Sequence, residues 1–430
     1  MKTSRQCALE ALSKVSGSGS YSNITIDKIL EKYKLDNRDS RLVTALFYGT
    51  LERKITLDYC INAFSKKPTE KMTPMVLDIL RMSFYQILYM DTIPTSAAVN
   101  EGVNLTKTVG LTSASSFVNG ILRSFLRAGG EIPPIKGEPA EVLSIEYSCE
   151  KWLCQKLIEE YGEEETRNIL DVSTGAPPVF IRVNTTKTTQ EKLMESFAEK
   201  QIIFETTQVP NCLMITNGGD LIKTDEFEKG LFHVQDMSSQ ICSQTLNPQK
   251  GDEIADVCSA PGGKTFTIAQ LIEDTGRVLA MDLHQSRTKL IISGAKRLGL
   301  KSVEAMAQDA TVFNENLGTF DKVLCDVPCS GFGIIRRKPE IKYKSYEEIK
   351  KLPDIQYKIL ENSSKYLKIG GTLVYSTCTM LKEENEMVVE KFLSNNPNFE
   401  PFEKDNYTKT FIPDKKGTDG FFISKIRRVK

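Results

Sequence analysis

Two cysteines, Cys325 and Cys329, flank an acid and a proline in the stretch CDVPCSGFG, and a third, Cys378, stands in STCTM. Such thiols can form a disulfide, half of a metal site, ordinary packing or a working nucleophile. The chain has ten cysteines, without dense pairs at regular spacing, and in the reducing cytosol disulfides are disfavoured. It has two histidines, His233 and His284, and no CxxC. Its close cysteine pairs, Cys149/Cys154 and Cys325/Cys329, have spacings that suit zinc poorly, so no metal is expected. Packing and chemistry remain.

A second set of residues points to a cofactor. CSAPGGKTFT, from Cys258, places two glycines between a strand-like run and a helix-like one. Glycines let a ligand approach the backbone, and the helix start offers N–H groups to an anion. The stretch is neither a Walker loop, which needs glycine where Cys258 stands, nor GxGxxG. Asp282 closes the next strand-like run, about 20 residues on, where an acid can accept ribose hydroxyls. Asp309 closes the third, within reach of an adenine amino group. Glycines, acid and acid at three successive strand ends suit a ribose, an adenine and a charged tail. Both S-adenosylmethionine and NAD fit that description.

Cys329 and Asp326 fall at the end of a fourth strand-like run and Cys378 at the end of a fifth. Adjacent parallel strands lie about 4.8 Å apart, so both thiols and the acid are expected in one crevice. One reaction uses a thiolate, an acid and a methyl donor together. Carbon 5 of cytosine is too weak a nucleophile for a sulfonium methyl. A thiolate adding to carbon 6 makes carbon 5 carbanion-like, an acid at N3 stabilises the developing charge, and a second basic group assists release.

These groups need a frame. At 430 residues the chain exceeds one ordinary core. Its apolar and charged fractions, 40% and 26%, are those of a globular protein. No apolar run approaches the ~20 residues of a membrane span, and the start lacks a secretory signal's apolar core; a cytoplasmic protein is expected. The formal net charge is zero, so any nucleic-acid footprint must be local. Residues 1–133 read as a helical bundle. In TPMVLDILRMSFYQILYM, Thr73 can cap, Pro74 fits the first turn, and Val76, Ile79, Leu80, Phe84, Ile87 and Leu88 form one stripe. A glycine/proline break, GGEIPPIKGEP, ends this region. Residues 134–235 alternate helix and strand as a small α+β module. Residues 236–430 show regular β/α alternation, which predicts a doubly wound, Rossmann-like α/β sheet with parallel strands and ligands at their carboxyl ends.

DVCSAPGGKT, DVPCSGFG, RRKPEIKY and YSTCTMLKEENE together resemble the motifs of the RNA cytosine-5 methyltransferases of the Sun/NOL1/NOP2 family. The resemblance implies that Cys378 is the nucleophile, that Cys329 assists release and that Asp326 contacts cofactor and base. It maps Cys258, Ser259, Ala260, Pro261, Gly262, Gly263, Lys264, Asp282, Asp309 and Asp326 onto an S-adenosyl-L-methionine site. NRDSRLVTALFYGTLERK, YQILYMDTIPTSAAVNEGV and FVNGILRSFLR look like a NusB-like RNA-binding helical domain. With IRVN, HVQDMSSQ and the closing-strand stretch DGFFISKIRR, they resemble the bacterial subgroup acting on small-subunit (16S) ribosomal RNA. Small-subunit rRNA is thus the expected partner, with tRNA or a catalytically silent RNA-binding role as rivals, and a monomer the simplest state. Beside the base pocket, the basic residues Arg336, Arg337, Lys338, Lys342 and Lys344 are candidate phosphate contacts. Arg182 and Asn184 in IRVN are further RNA candidates.

Overall fold

The computed structural model describes residues 2–18, 22–217, 219–415 and 417–430. It forms two compact units: one runs to Gly175 and includes Ile335–Tyr346, the other comprises Ala176–Ile334 and Glu347–Lys430. By compactness the chain parts at Gly175, with the helices after the break near 133 kept beside the first ones. The reason is packing: Thr56 Oγ1 in helix Lys54–Phe64 donates to Ile145 O, and Ser148 Oγ accepts from Ile55 N at 2.8 Å, binding the later helices to the first ones.

The first unit is all-helical among its described residues. Its central helix, Pro74–Tyr89, begins with proline at its first turn, as expected, while Thr73 makes no side-chain capping bond. Val76, Ile79, Leu80 and Phe84 are buried as the stripe requires, but so are Asp78 and Arg81 on the polar side. That side can be buried because charges meet there. Arg81 donates to both oxygens of Asp58, at 2.7 and 2.6 Å, and to Asp78 at 3.2 Å. Helix Ser115–Arg127 ends where Gly130, at φ +70°, donates its N–H to Phe125 O.

The second unit holds two sheets. In the smaller, β1 (Val179–Val183), β2 (Ile203–Thr206), β3 (Cys212–Asn217) and β4 (Phe232–Val234) run antiparallel in the order β2-β3-β1-β4. The larger contains β5 (Glu253–Asp256), β6 (Arg277–Asp282), β7 (Val303–Ala307), β8 (Phe320–Asp326), β9 (Leu367–Thr377), β10 (Phe399–Pro401), β11 (Thr408–Phe411) and β12 (Phe421–Arg428). Its order is β10-β12-β9-β8-β5-β6-β7, with β11 paired to β12. Strands β5 to β9 are parallel, as β/α alternation requires. The closing strand β12 departs from that pattern and returns antiparallel along β9. The parallel order steps outward from β5 in both directions, so the crevice at the carboxyl ends of β5 and β8 is the place for a ligand.

Candidate active site

At the carboxyl end of β5 the chain turns through Cys258–Gly262 into helix Gly263–Leu271. Gly262 has φ +113°, and a Cβ there would stand 2.4 Å from the Phe266 ring, so the turn admits only glycine. Beside it lies a cavity of about 210 Å³, lined by Cys258, Ser259, Ala260, Pro261, Gly263 and Lys264 with Asp256 and Asp326. Gln235 and Asp236, just beyond β4, close another side. Asp282 at the end of β6 is buried against the glycine loop, accepting from Ala260 N at 3.3 Å and His284 N at 3.2 Å. Asp309 lies two residues beyond β7, exposed, its Oδ1 accepting from the N–H and hydroxyl of Thr311. Asp282 and Asp309 flank the glycine turn without lining this cavity.

Asp326, the last residue of β8, pairs in register with Ser376 of β9. Its Oδ1 accepts from Ser376 Oγ at 2.8 Å and its Oδ2 from Lys264 Nζ at 2.6 Å. Two turns beyond these strands bring Cys329 and Cys378 together, their sulfurs 3.1 Å apart. Both are half-buried, whereas Cys325 points into the core between the strands. Alternation along β8 explains the split: Cys325 and Asp326 face opposite sides of the sheet. The thiol pair is thus Cys329 with Cys378, joined also by Gly333 N–H on Cys378 O at 2.9 Å.

Charge is distributed unevenly over this cluster. The hydrogen bond to Cys378 and then burial hold the Cys329 thiol well above its ordinary range. Burial works against the Lys264 ammonium, but Asp326 outweighs it, and a Cys378 thiolate adds to the attraction. Asp256 was not anticipated from the sequence. Burial pushes its carboxyl up to about 7, Thr265 Oγ1 donates to its Oδ2 at 2.7 Å, and its Oδ1 has no partner in the protein. Its signal was available: it is the strand residue immediately before the glycine turn. Gln235 Nε2 is likewise a buried donor without a protein partner. Buried polar atoms rarely stay unpaired. Two such atoms at one cavity, beside a helix start and an acid–lysine pair, fit a ligand with an ammonium, a carboxylate and an adenosine.

The RNA candidates fall elsewhere. Arg182 and Asn184 are buried. Arg182 donates to Gln270 Oε1 at 3.2 Å and to Pro210 O at 3.4 Å, and Asn184 Nδ2 to Gly230 O and Leu298 O. Both tie the small sheet to the helices of the large one, which corrects their reading as RNA contacts. Lys342 is also buried. It donates to Glu52 O at 2.8 Å and Tyr147 O at 2.9 Å, the last carbonyls of two helices, so it too is not a phosphate contact. Arg336, Arg337 and Lys338 are half-buried within the same segment of the first unit.

Comparison with known proteins agrees with this anatomy. Residues 243–427 match the family described as 16S rRNA methyltransferase RsmB/F, residues 2–127 the NusB family, and residues 150–221 the RsmF/B-like ferredoxin-like domain. The probable ribosomal RNA small subunit methyltransferase B of Bacillus subtilis is 37% identical, with 99% of each chain covered. The ribosomal RNA small subunit methyltransferase B of Escherichia coli O1:K1 is 31% identical over 98% of each. The crystal structure of a methyltransferase homologue from Pyrococcus horikoshii is 27% identical, with a TM-score of 0.62, and covers 68% of this chain and all of that one. With a NusB-like helical part, a ferredoxin-like module and a Rossmann-like catalytic sheet in that order, the chain belongs to the RsmB/F family of S-adenosylmethionine-dependent rRNA methyltransferases.

Proposed function

We propose that this chain methylates carbon 5 of a cytosine in small-subunit ribosomal RNA, with Cys378 as the attacking thiolate. The observation that carries this reading is the 3.1 Å approach of Cys329 and Cys378 beside Asp326 and Lys264, at the end of neighbouring parallel strands. Simple transfer to a nitrogen or a hydroxyl would need no such thiol pair.

Cys378 adds to carbon 6 of the base, and negative charge moves toward N3. Asp326 shares a proton with Lys264 across 2.6 Å, so a proton can pass through the carboxylate to that edge as charge develops. S-adenosylmethionine, when bound, supplies an electrophilic methyl group at its sulfonium. Residues Cys258 to Lys264, with Asp282, Asp309 and Asp326, would hold it, and the unpaired atoms of Asp256 and Gln235 belong to the same cavity. Once Cys378 is bonded to the base, Cys329 loses the sulfur that accepted its proton. It then releases that proton, takes the one from carbon 5, and Cys378 leaves as thiolate; N3 returns its proton to the Asp326–Lys264 pair. One proton is released per methyl transferred. The target base must be out of its stack, at about a few kcal/mol; Arg336, Arg337 and Lys338 are the basic residues proposed as RNA phosphate contacts.

The test is nucleoside analysis after reaction with unmodified small-subunit rRNA, with bulk tRNA in parallel. 5-Methylcytidine in the rRNA alone is the expected product. A different methylated nucleoside would overturn the thiol mechanism, and transfer to tRNA alone would overturn the substrate.

A further inference from the structure

The motif stretch LKEENE, Leu381 to Glu386, contributes nothing to the reaction as described, yet Glu384 within it is fully buried. Its Oε2 accepts from the backbone N–H of Ser330 at 2.9 Å, the residue after Cys329. The same oxygen accepts from Gln356 Nε2 at 2.8 Å, and that amide also donates to Pro328 O at 3.0 Å, the residue before Cys329. A single carboxylate oxygen thus grips both sides of the Cys329 turn. Its Oε1 has no hydrogen-bond partner among the described residues. A neighbouring set holds the other thiol: Thr379 Oγ1 accepts from Ser330 Oγ at 2.8 Å, and Asn385 joins Thr377 Oγ1 at 2.6 Å and Thr379 O at 3.1 Å.

We infer that Glu384 is a positioning residue that fixes the Cys329 turn and assigns the proton shared by the two thiols to Cys329, leaving Cys378 free to attack. The two sulfurs are chemically alike and 3.1 Å apart, so their surroundings must break the tie. On one side, the Lys264 ammonium attracts a thiolate at Cys378. On the other, the Glu384 carboxylate repels a thiolate at Cys329. Among the described residues, the Lys264–Asp326 ion pair also faces the two thiols, and the buried Tyr375 phenol donates to Glu384 O at 2.6 Å. Burial raises both the Tyr375 phenol and the Glu384 carboxyl from their ordinary values. At the alkaline pH where thiols titrate, the phenol is neutral and the Glu384 carboxylate is charged.

This inference rests on the assignment of Cys378 as nucleophile, but its test needs neither RNA nor cofactor. The full-length protein is treated with limiting iodoacetamide near pH 8, and the ratio of alkylation at Cys329 to that at Cys378 is read by peptide mass spectrometry. Wild type is expected to react mainly at Cys378. Glu384→Gln keeps the acceptor oxygen and removes the charge, so the ratio should rise by about tenfold, the effect of roughly one pKa unit. Glu384→Asp keeps the charge and shortens the reach, so the ratio should stay near wild type. An unchanged ratio in Glu384→Gln, or equal changes in both variants, would overturn the inference. Thermal melting of each variant separates a folding defect from a shift in proton location. Were 5-methylcytidine never formed, the cytosine reading would fail while the alkylation ratio still answered the present question.

Discussion

A largely enclosed lysine stands near two cysteines in each unit of the molecule, and the two clusters are treated oppositely. In the catalytic sheet, Lys264 pairs with Asp326, its ammonium is favoured and both line a cavity, and Cys329 and Cys378 are half-buried. In the helical unit, Lys342 bonds two helix-end carbonyls and, among the described residues, no carboxylate, and burial pulls it down to about 8. Its neighbours Cys149 and Cys154 are fully buried, and their mutual hydrogen bond, with burial, holds Cys154 far above the ordinary thiol range. Residue type is shared; an acid, an opening and a cavity are not. A thiol pair becomes chemical only where a thiolate can form and a substrate can reach it.

The largest expected contrast is between the thiols themselves. Cys378→Ala should reduce methyl transfer by at least about a thousandfold, the scale seen when a covalent nucleophile is removed. Cys154→Ala should leave transfer within about twofold while lowering stability by about 1–3 kcal/mol. Labelled-methyl incorporation and thermal melts would show both; substantial loss of transfer in Cys154→Ala at a temperature where it is folded would erase the contrast. Next come the lysines. Lys264→Met leaves Asp326 beside the cavity without its cation, and methyl transfer should fall by about a hundredfold. Lys342→Met leaves two helix-end carbonyls unpaired, at about 1–3 kcal/mol, with transfer retained below the melting point.

Acid and base titrations sharpen the comparison in opposite directions. Between pH 8 and 10.5 the unfolded chain keeps a proton on Lys342 that the folded chain has released. Wild-type stability relative to Lys342→Met should therefore rise with pH through that window. Asp256 has the reverse sign. Between 3.8 and about 7 the folded chain holds a proton the unfolded chain has lost, so stability relative to Asp256→Asn should fall as pH rises from 4 to 7. Denaturant melts across pH would show the two slopes, and a flat difference in either case would refute the corresponding burial. The smallest effect is expected in RNA binding. Replacing Arg337 and Lys338 by glutamine should flatten the salt dependence of rRNA affinity by about one log unit for each phosphate no longer neutralised; an unchanged slope would remove these residues from the interface.

Much of this was legible because alternating strands and helices force a particular geometry. Once β5 to β9 are parallel, Asp256, Asp282, Asp326 and Cys378 must cluster at one edge, whatever the side chains do later. Pairing Cys329 with Cys378 followed from strand adjacency. What the sequence concealed were contacts between distant residues. Lys342 sits in a basic run that reads as solvated, and the Glu52 and Tyr147 carbonyls that bury it lie almost two hundred residues or more away. Arg182 stands in β1 and Asn184 just past its end, and their burial depends on a second sheet's helices. The packing of the helices on either side of the GGEIPPIKGEP stretch was hidden too, because it depends on contacts such as Thr56 with Ile145. Glu384 was visible only as part of a motif, since its grip on Ser330 and Gln356 requires a loop and two helical segments distant in sequence to meet.

The most direct measurement is to trap the bond between Cys378 and the base. Small-subunit rRNA containing 5-fluorocytidine cannot release the carbon 5 substituent, so the methylated adduct should persist on a denaturing gel with S-adenosylmethionine present. Wild type and Cys329→Ala should both form it, with peptide mapping placing the RNA on Cys378, and Cys378→Ala should form none. An adduct that survives in Cys378→Ala, or maps to Cys329, would contradict the assignment of the attacking thiol.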